Sequence, residues 1–491
     1  MIVMKFGGSS LESAAAIQQA ASIVKQHLDR KPVVVVSAMG KTTDRLLDAA
    51  RSAARGDSYS AGKQVEALRR MHSAETRAVL GQRAEPFLRG NIAPLFRELQ
   101  LLLIELSGGR QFTPQIQDEI LSYGERLSSL IVAESFRHLG IHAAQVDARK
   151  VIVTNEQFTR ATPLHWDTYA RLRRTVALLV RDRVVVMAGF IASTPGGATT
   201  TLGRGGSDLT ASLVGAGISA DEIQIWTDVD GMLTCDPRLL AGAHRLREIS
   251  YQEAQEMARF GAKVLQPASV APALRQKIPI VIRNSRRPEI EGTRIGFKVQ
   301  TSGIVKCLTS KAGMAVVHLR TRNPGMLSSI TDGLADLFAR EHIAVDMIQA
   351  QPQGISFAVE NWPGLSQLLR KVDETVEITV EEDRAAIWLV GEGIAETDST
   401  VARARAAFEG TEVRMASHGS SSLSLGFVIR EADLHSALEA LHREFFAAPD
   451  RSVFVAPEQA VWRTSQASSA AGPGIPRHDI LVPDAQPGHI S

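Results

Sequence analysis

Four glycine-, serine- or threonine-rich runs in the first 300 residues each stand directly behind a short apolar strand pattern. Lys5-Phe6-Gly7-Gly8-Ser9-Ser10 continues Ile2-Val3-Met4, and Ser37-Ala38-Met39-Gly40-Lys41-Thr42-Thr43-Asp44 follows Val33-Val34-Val35-Val36. Gly189-Phe190-Ile191-Ala192-Ser193 follows Val184-Val185-Val186, and Thr227-Asp228-Val229-Asp230-Gly231 follows Ile223-Gln224-Ile225-Trp226. A further strand is predicted at Ile278–Ile282. Helical patterns lie between the strands; Leu95, Leu99, Leu102, Leu103 and Leu106 form one apolar stripe at helical spacing. Such runs, buried on both faces and crossed by helices, predict an α/β domain with an open, mostly parallel sheet sandwiched by helices. Ligands meet such sheets at the carboxyl ends of the strands. Motifs gathered at that edge predict one large site.

Near Glu291-Gly292-Thr293 the pattern changes. One unit reads strand Met314–Leu319, helix 326–341, strand Ile343–Ile348 and strand Gly354–Val359. A second reads strand Ala385–Val390, helix 399–408, strand 413–417, strand Leu423–Ile429 and helix 432–445. This weak repeat predicts two ferredoxin-like βαββαβ modules. Three regions result: residues 1–297, 298–463, and a Ser-, Ala-, Gly- and Pro-rich stretch, 464–491, expected to be a disordered tail.

Net charge is close to balance, with 55 basic and 53 acidic side chains, so nothing favours a nucleic-acid partner. Two cysteines, Cys235 and Cys307, make no disulfide framework and fit a reducing cytoplasmic setting. No signal-peptide pattern opens the chain, and no apolar run reaches membrane-spanning length.

The opening run places a lysine before paired glycines, where backbone can approach a ligand closely, and a helix start beyond them suits phosphate. The densest run is Thr199-Thr200-Thr201-Leu202-Gly203-Arg204-Gly205-Gly206-Ser207-Asp208. Ser207 and Asp208 are placed to open a helix as caps. Capping does not account for Arg204, whose guanidinium suits bidentate capture of a carboxylate. Gly40-Lys41-Thr42 is not a P-loop, because Val35 stands where that loop needs glycine. Gly391-Glu392-Gly393 lacks the third glycine of a dinucleotide fingerprint.

Taken with Ser122-Tyr123-Gly124-Glu125-Arg126-Leu127-Ser128, Trp226 through Gly231 and Phe260-Gly261-Ala262-Lys263-Val264-Leu265, these runs resemble, in order and spacing, the aspartate kinases of the amino-acid-kinase family. The resemblance extends from Met1 to about Trp462. The paired modules are similar to that family's tandem ACT regulatory domains, and Leu441-His442-Arg443-Glu444-Phe445-Phe446 to the usual end of the second.

The resemblance implies transfer of the γ-phosphoryl of ATP, taken with Mg²⁺, onto the β-carboxylate of L-aspartate. Lys5, in a solvated cleft, would neutralise the transferred group, and Asp208 would hold the cationic groups. Arg204 would clamp the α-carboxylate, Glu125 the ammonium, and Thr43 and Ser207 the β-carboxylate. Spacing alone favours reading Glu125 as an ordinary helix glutamate paired with a nearby arginine; the resemblance reverses that preference. Lys5, Gly7, Gly8, Ser9, Thr227, Asp228, Arg238 and Lys263 occupy nucleotide positions. Leu233 and Gln266 depart from the tyrosine and histidine frequent in the family. An amino-acid effector, lysine and/or threonine, is expected at Gly325, Met326, Leu327 and Ser328, with Asp346 receiving its ammonium, and ACT pairing implies a homo-oligomer. Gln351-Pro352 replaces the Ser-Glu usual in lysine-sensitive relatives, which points toward threonine or a concerted pair. The alternatives are a kinase of glutamate or acetylglutamate, and a non-catalytic amino-acid sensor. The chain's length leaves no room for a fused homoserine dehydrogenase after Ser491.

Overall fold

The computed structural model describes residues 1–456 apart from 262–265, 298–302, 322–326, 342, 352–353, 363, 370–375 and 419–421. The expected limits at 298 and 463 and the expected tail 464–491 lie outside the described residues.

The first region is built on one eight-stranded sheet. Its spatial order is Ala143–Val146, Val184–Ala188, Pro32–Val36, Ile2–Phe6, Glu222–Thr227, Ile280–Asn284, Thr293–Gly296, Glu248–Ser250. Every neighbouring pair is parallel except Ile280–Asn284 with Thr293–Gly296. Side-chain alternation splits the core into two layers. Val3, Val33 and Val35 face one; Ile2, Met4, Phe6, Val34 and Val36 face the other. This double burial is what the uninterrupted apolar runs encode. The leucine stripe lies on the helix Ala93–Ser107, with Leu95, Leu99, Leu103 and Leu106 buried and Leu102 partly so. Ile2–Phe6 pairs with Pro32–Val36 on one side and with Glu222–Thr227 on the other. The chain therefore reverses its direction of growth there, and the crevice at the end of Ile2–Phe6 is the switch point of the sheet.

Two local expectations are corrected. The helix after the glycine pair does not start at once: Gly8–Ser10 form a single 3₁₀ turn, and the helix Ala14–Lys25 begins behind Ser13, whose hydroxyl accepts from Ala16 N. Ser10 turns inward instead, bonding Trp226 O and Ser285 Oγ. The helix Gly206–Ile218 has Gly205 at its N-cap, φ +71°, without a side-chain cap. Ser207 and Asp208 therefore sit in its first turn, with their side chains free for the pocket.

The second region is a six-stranded sheet, Val345–Gln351, Gly354–Glu360, Cys307–Thr321, Val376–Val390, Ser424–Arg430, Met415–His418. The two long strands serve two modules. Met314–Arg320 pairs with Gly354–Glu360 in the first, and Ala385–Val390 with Ser424–Ile429 in the second. Cys307–Lys311 pairs with Ala386–Val390, so the outer strand of the second module precedes the first module in sequence. The first module is thus inserted within the second. It keeps a core of its own, including Val317, Phe338 and Phe357, whereas the second shares its core with the kinase-like region through Cys307, Trp388 and Phe446. Lys306 and Glu253, both fully buried, pair at 2.8 Å across this junction, and Glu392 N donates to the other Glu253 oxygen at 2.9 Å.

Candidate active site

The carboxyl ends of Ile2–Phe6, Pro32–Val36 and Val184–Ala188 meet the first turn of Gly206–Ile218 around a pocket of about 290 Å³. Lys5, Gly8, Thr43, Glu125, Ser207 and Asp208 line it, with Phe190 from the third strand's turn. Gly8 is required by close approach: a Cβ there would stand 2.9 Å from the carbonyls of both Ala38 and Gly40. Gly7 N donates to Trp226 O at 3.0 Å, which ties the turn to the neighbouring strand.

Lys5 and Asp208 form an ion pair at 2.8 Å, with side chains only 11% and 15% exposed. Within this open pocket the Lys5 side chain is itself mostly buried. Fixed on a central strand, the ammonium is presented to whatever enters the pocket, and Asp208 holds it there.

Glu125 comes from the helix Pro114–His138. Gly124 lets that helix press against the second strand's turn, since a Cβ there would lie 2.9 Å from the Ala38 Cβ. Glu125 is 3% exposed; Oε1 accepts from Ala38 N at 3.2 Å, and Oε2 is buried without a partner. The helix-glutamate alternative fails, because Arg126 pairs with Glu98 at 3.1 Å and Glu119 at 3.5 Å instead. Burial pushes the Glu125 carboxyl up to about 8, and the bond from Ala38 N only partly offsets it. A cationic ligand meeting the unpartnered Oε2 would offset that burial and favour the ionised carboxylate, so the position suits a cation.

The same shift sets a stability expectation. Between about pH 4.5 and 8 folded Glu125 holds a proton that the unfolded chain releases, so its contribution to stability falls across that window. Glu125→Gln removes the cost. The variant should melt higher than wild type at pH 8.5, with the gap closing toward pH 5. A gap independent of pH in thermal melts would contradict the raised pKa.

Arg204 is exposed beside this pocket and forms no ion pair with a described residue. The loop that carries it is fixed by a residue the sequence reading passed over. Asp118, fully buried, accepts from Thr201 N at 2.9 Å, Thr201 Oγ1 at 2.7 Å and Thr159 N at 2.8 Å. A lone aspartate on an amphipathic helix carries no local signal of this role. Ser269, also unremarked in sequence, braces the same loop by donating to Gly205 O at 3.0 Å.

The remaining predicted residues are dispersed. Ser9 opens on a neighbouring cavity of about 290 Å³ with Ser13, Gln19 and Arg286. Thr227 Oγ1 donates to Asp228 Oδ1 at 3.2 Å at the end of their strand, next to the Gly7–Trp226 contact. Arg238 is exposed and tied to Asp236. Lys263 lies outside the described residues, as do Gly325 and Met326. Leu327 and Ser328 open the helix Leu327–Arg340. Asp346 already holds an ammonium, that of Lys311 at 2.8 Å. An effector amine would have to displace it. Among the described residues no helix is long and apolar enough to cross a membrane.

Residues 1–284 match the model of the amino acid kinase family, and 387–445 that of an ACT domain. Aspartokinase 1, chloroplastic, of Arabidopsis thaliana is 32% identical over 92% of this chain and 81% of its own. The lysine-sensitive aspartokinase 3 of Escherichia coli (strain K12) is 32% identical over 91% and 99%. The crystal structure of E. coli aspartokinase III with aspartate and ADP superposes with a TM-score of 0.76, covering 91% of this chain and all of that one at 30% identity. The chain therefore belongs to the amino acid kinase family and, within it, to the aspartokinases.

Proposed function

We propose that the protein transfers the γ-phosphoryl group of ATP to the β-carboxylate of L-aspartate, giving 4-phospho-L-aspartate, the first step toward lysine, threonine and methionine. The observation that carries this reading is one pocket lined by the Lys5–Asp208 pair and by the unpartnered Glu125 Oε2. The acceptor carboxylate is ionised at neutral pH, so no general base is required. Lys5 neutralises charge on the transferred group, and Asp208 keeps that ammonium aimed. Glu125 takes the substrate ammonium, Arg204 its α-carboxylate, and Thr43 and Ser207 its β-carboxylate. The turn at Gly7, Gly8 and Ser9 and the residues Thr227, Asp228, Arg238 and Lys263 serve the nucleotide.

Among the described residues no group of three or more His, Cys, Asp or Glu side chains is arranged to hold a metal. Mg²⁺ would enter as part of the nucleotide substrate, held mainly by phosphates and water, because it gives up its hydration reluctantly. When bound, it supplies further neutralisation of phosphate charge.

The test is to incubate the protein with MgATP and aspartate and trap acyl phosphate with hydroxylamine. Aspartyl hydroxamate is expected, with little product from glutamate or acetylglutamate. Folded protein giving no acyl phosphate would instead be a sensor. In the same assay lysine or threonine, singly or together at millimolar concentration, should inhibit by binding the ACT region of a homo-oligomer. Asp346→Ala should relieve that inhibition and leave the uninhibited rate near wild type. No response to either amino acid in rate or thermal midpoint would remove the effector assignment.

A further inference from the structure

Between the strand Glu222–Thr227 and the helix Tyr251–Arg259 the chain makes an excursion that carries Asp228 and Arg238. Thr234, fully buried, is its knot. Thr234 N donates to His244 O at 2.8 Å, and His244 N donates to Thr234 Oγ1 at 2.9 Å. The second ACT module grips the same residue from outside. Leu308 N donates to Thr234 O at 2.7 Å, and His442 Nε2 lies 3.0 Å from Thr234 Oγ1. His442 belongs to the helix Leu434–Phe446. Because Thr234 Oγ1 already accepts from His244 N, its own proton is available to His442 Nε2. His244 stacks on His442, ring centroids 5.8 Å apart and 10° from parallel, and its Nε2 donates to Phe446 O at 3.1 Å. Beyond the rings, Arg245–Leu246 pairs antiparallel with Phe454–Val455.

The neighbours of this contact are apolar: Leu246, Phe446 and Phe454 share one buried cluster. Apolar packing alone tolerates sliding, whereas a buried directional bond fixes one arrangement. We propose that His442 is a positioning residue for the phosphoryl transfer: through Thr234 it holds the nucleotide-side excursion in register, although it touches no substrate. The second ACT module then completes the kinase structurally. This rests on the reading above that Asp228 and Arg238 face the nucleotide.

Steady-state kinetics of the full chain test it. His442→Ala should raise the KM for MgATP about tenfold, the scale of one buried hydrogen bond, while the aspartate KM stays within about twofold. His442→Gln, whose side-chain amide oxygen can accept the Thr234 hydroxyl proton at a similar point, should recover most of the loss. Thr234→Val, which also takes the acceptor from His244 N, should show the same selective rise at least as large as His442→Ala, and adding His442→Ala to Thr234→Val should make it no worse. Equal rises in both KM values, or none, in folded protein would overturn the proposal. If His442→Ala does not fold, Thr234→Val against His442→Gln decides by the same split. Asp228→Ala run alongside separates the two failures. A raised ATP KM there with none in His442→Ala sinks this inference alone; no change in Asp228→Ala sinks the nucleotide reading and this inference with it.

Discussion

Lys5→Ala is expected to lower kcat by about 10²–10³, the range seen when a preorganised electrostatic donor is removed from a developing charge. Lys5 lies on a central strand whose register is fixed on both sides, opposite Val35 and Ile225. The truncation therefore leaves the backbone in place and removes only the ammonium. Asp208 loses its partner at 2.8 Å, and at 15% exposure it is not fully solvated. Some stability goes with it, because a mostly buried carboxylate is left uncompensated. Lys5→Ala combined with Asp208→Ala separates the two effects. The double variant should recover the thermal midpoint and none of the turnover. If folded Lys5→Ala keeps most of the wild-type kcat, Lys5 has no part in phosphoryl transfer.

Those residues were legible because strand-to-turn chemistry is local. Lys5, Gly8, Thr43 and Ser207 all sit within a few positions of a strand or helix end, where glycine and hydroxyl residues leave a mark in sequence. What was not legible was pairing at a distance. Asp118 acts on Thr201 across 83 positions, and nothing near it announces that bond. The repeat of ferredoxin-like units was visible, but not that Cys307–Lys311 completes the second module across the first. A strand's partner is not written in its own pattern. Val376–Val380 is absent from the predicted strands although Val376, Ile378 and Val380 alternate with polar residues, the pattern of a half-buried strand. In sequence Asp346 looks like an open carboxylate, because Lys311, 35 positions earlier, meets it only through the sheet.

Substrate recognition gives the second large effect. Glu125→Gln and Arg204→Ala should each raise the aspartate KM far more than the ATP KM. Losing one partner of a charge pair in a closed site costs on the order of 2–5 kcal/mol, about 30-fold at the lower end. Arg204 is exposed, so its full share requires that bound aspartate draws the guanidinium in. Glu125→Gln keeps the shape and one acceptor, so its effect should be the milder. It has a second signature that a packing role would lack. With its carboxyl near 8, wild-type Glu125 is mostly protonated at pH 7 and must ionise to receive an ammonium. The wild-type aspartate KM should therefore fall, by up to about tenfold per pH unit, between pH 6 and 8. In Glu125→Gln that slope should vanish while the ATP KM stays level in both proteins. A variant that retains the slope would assign the titration to another group, and parallel rises in both KM values would make Glu125 a structural residue of the pocket wall.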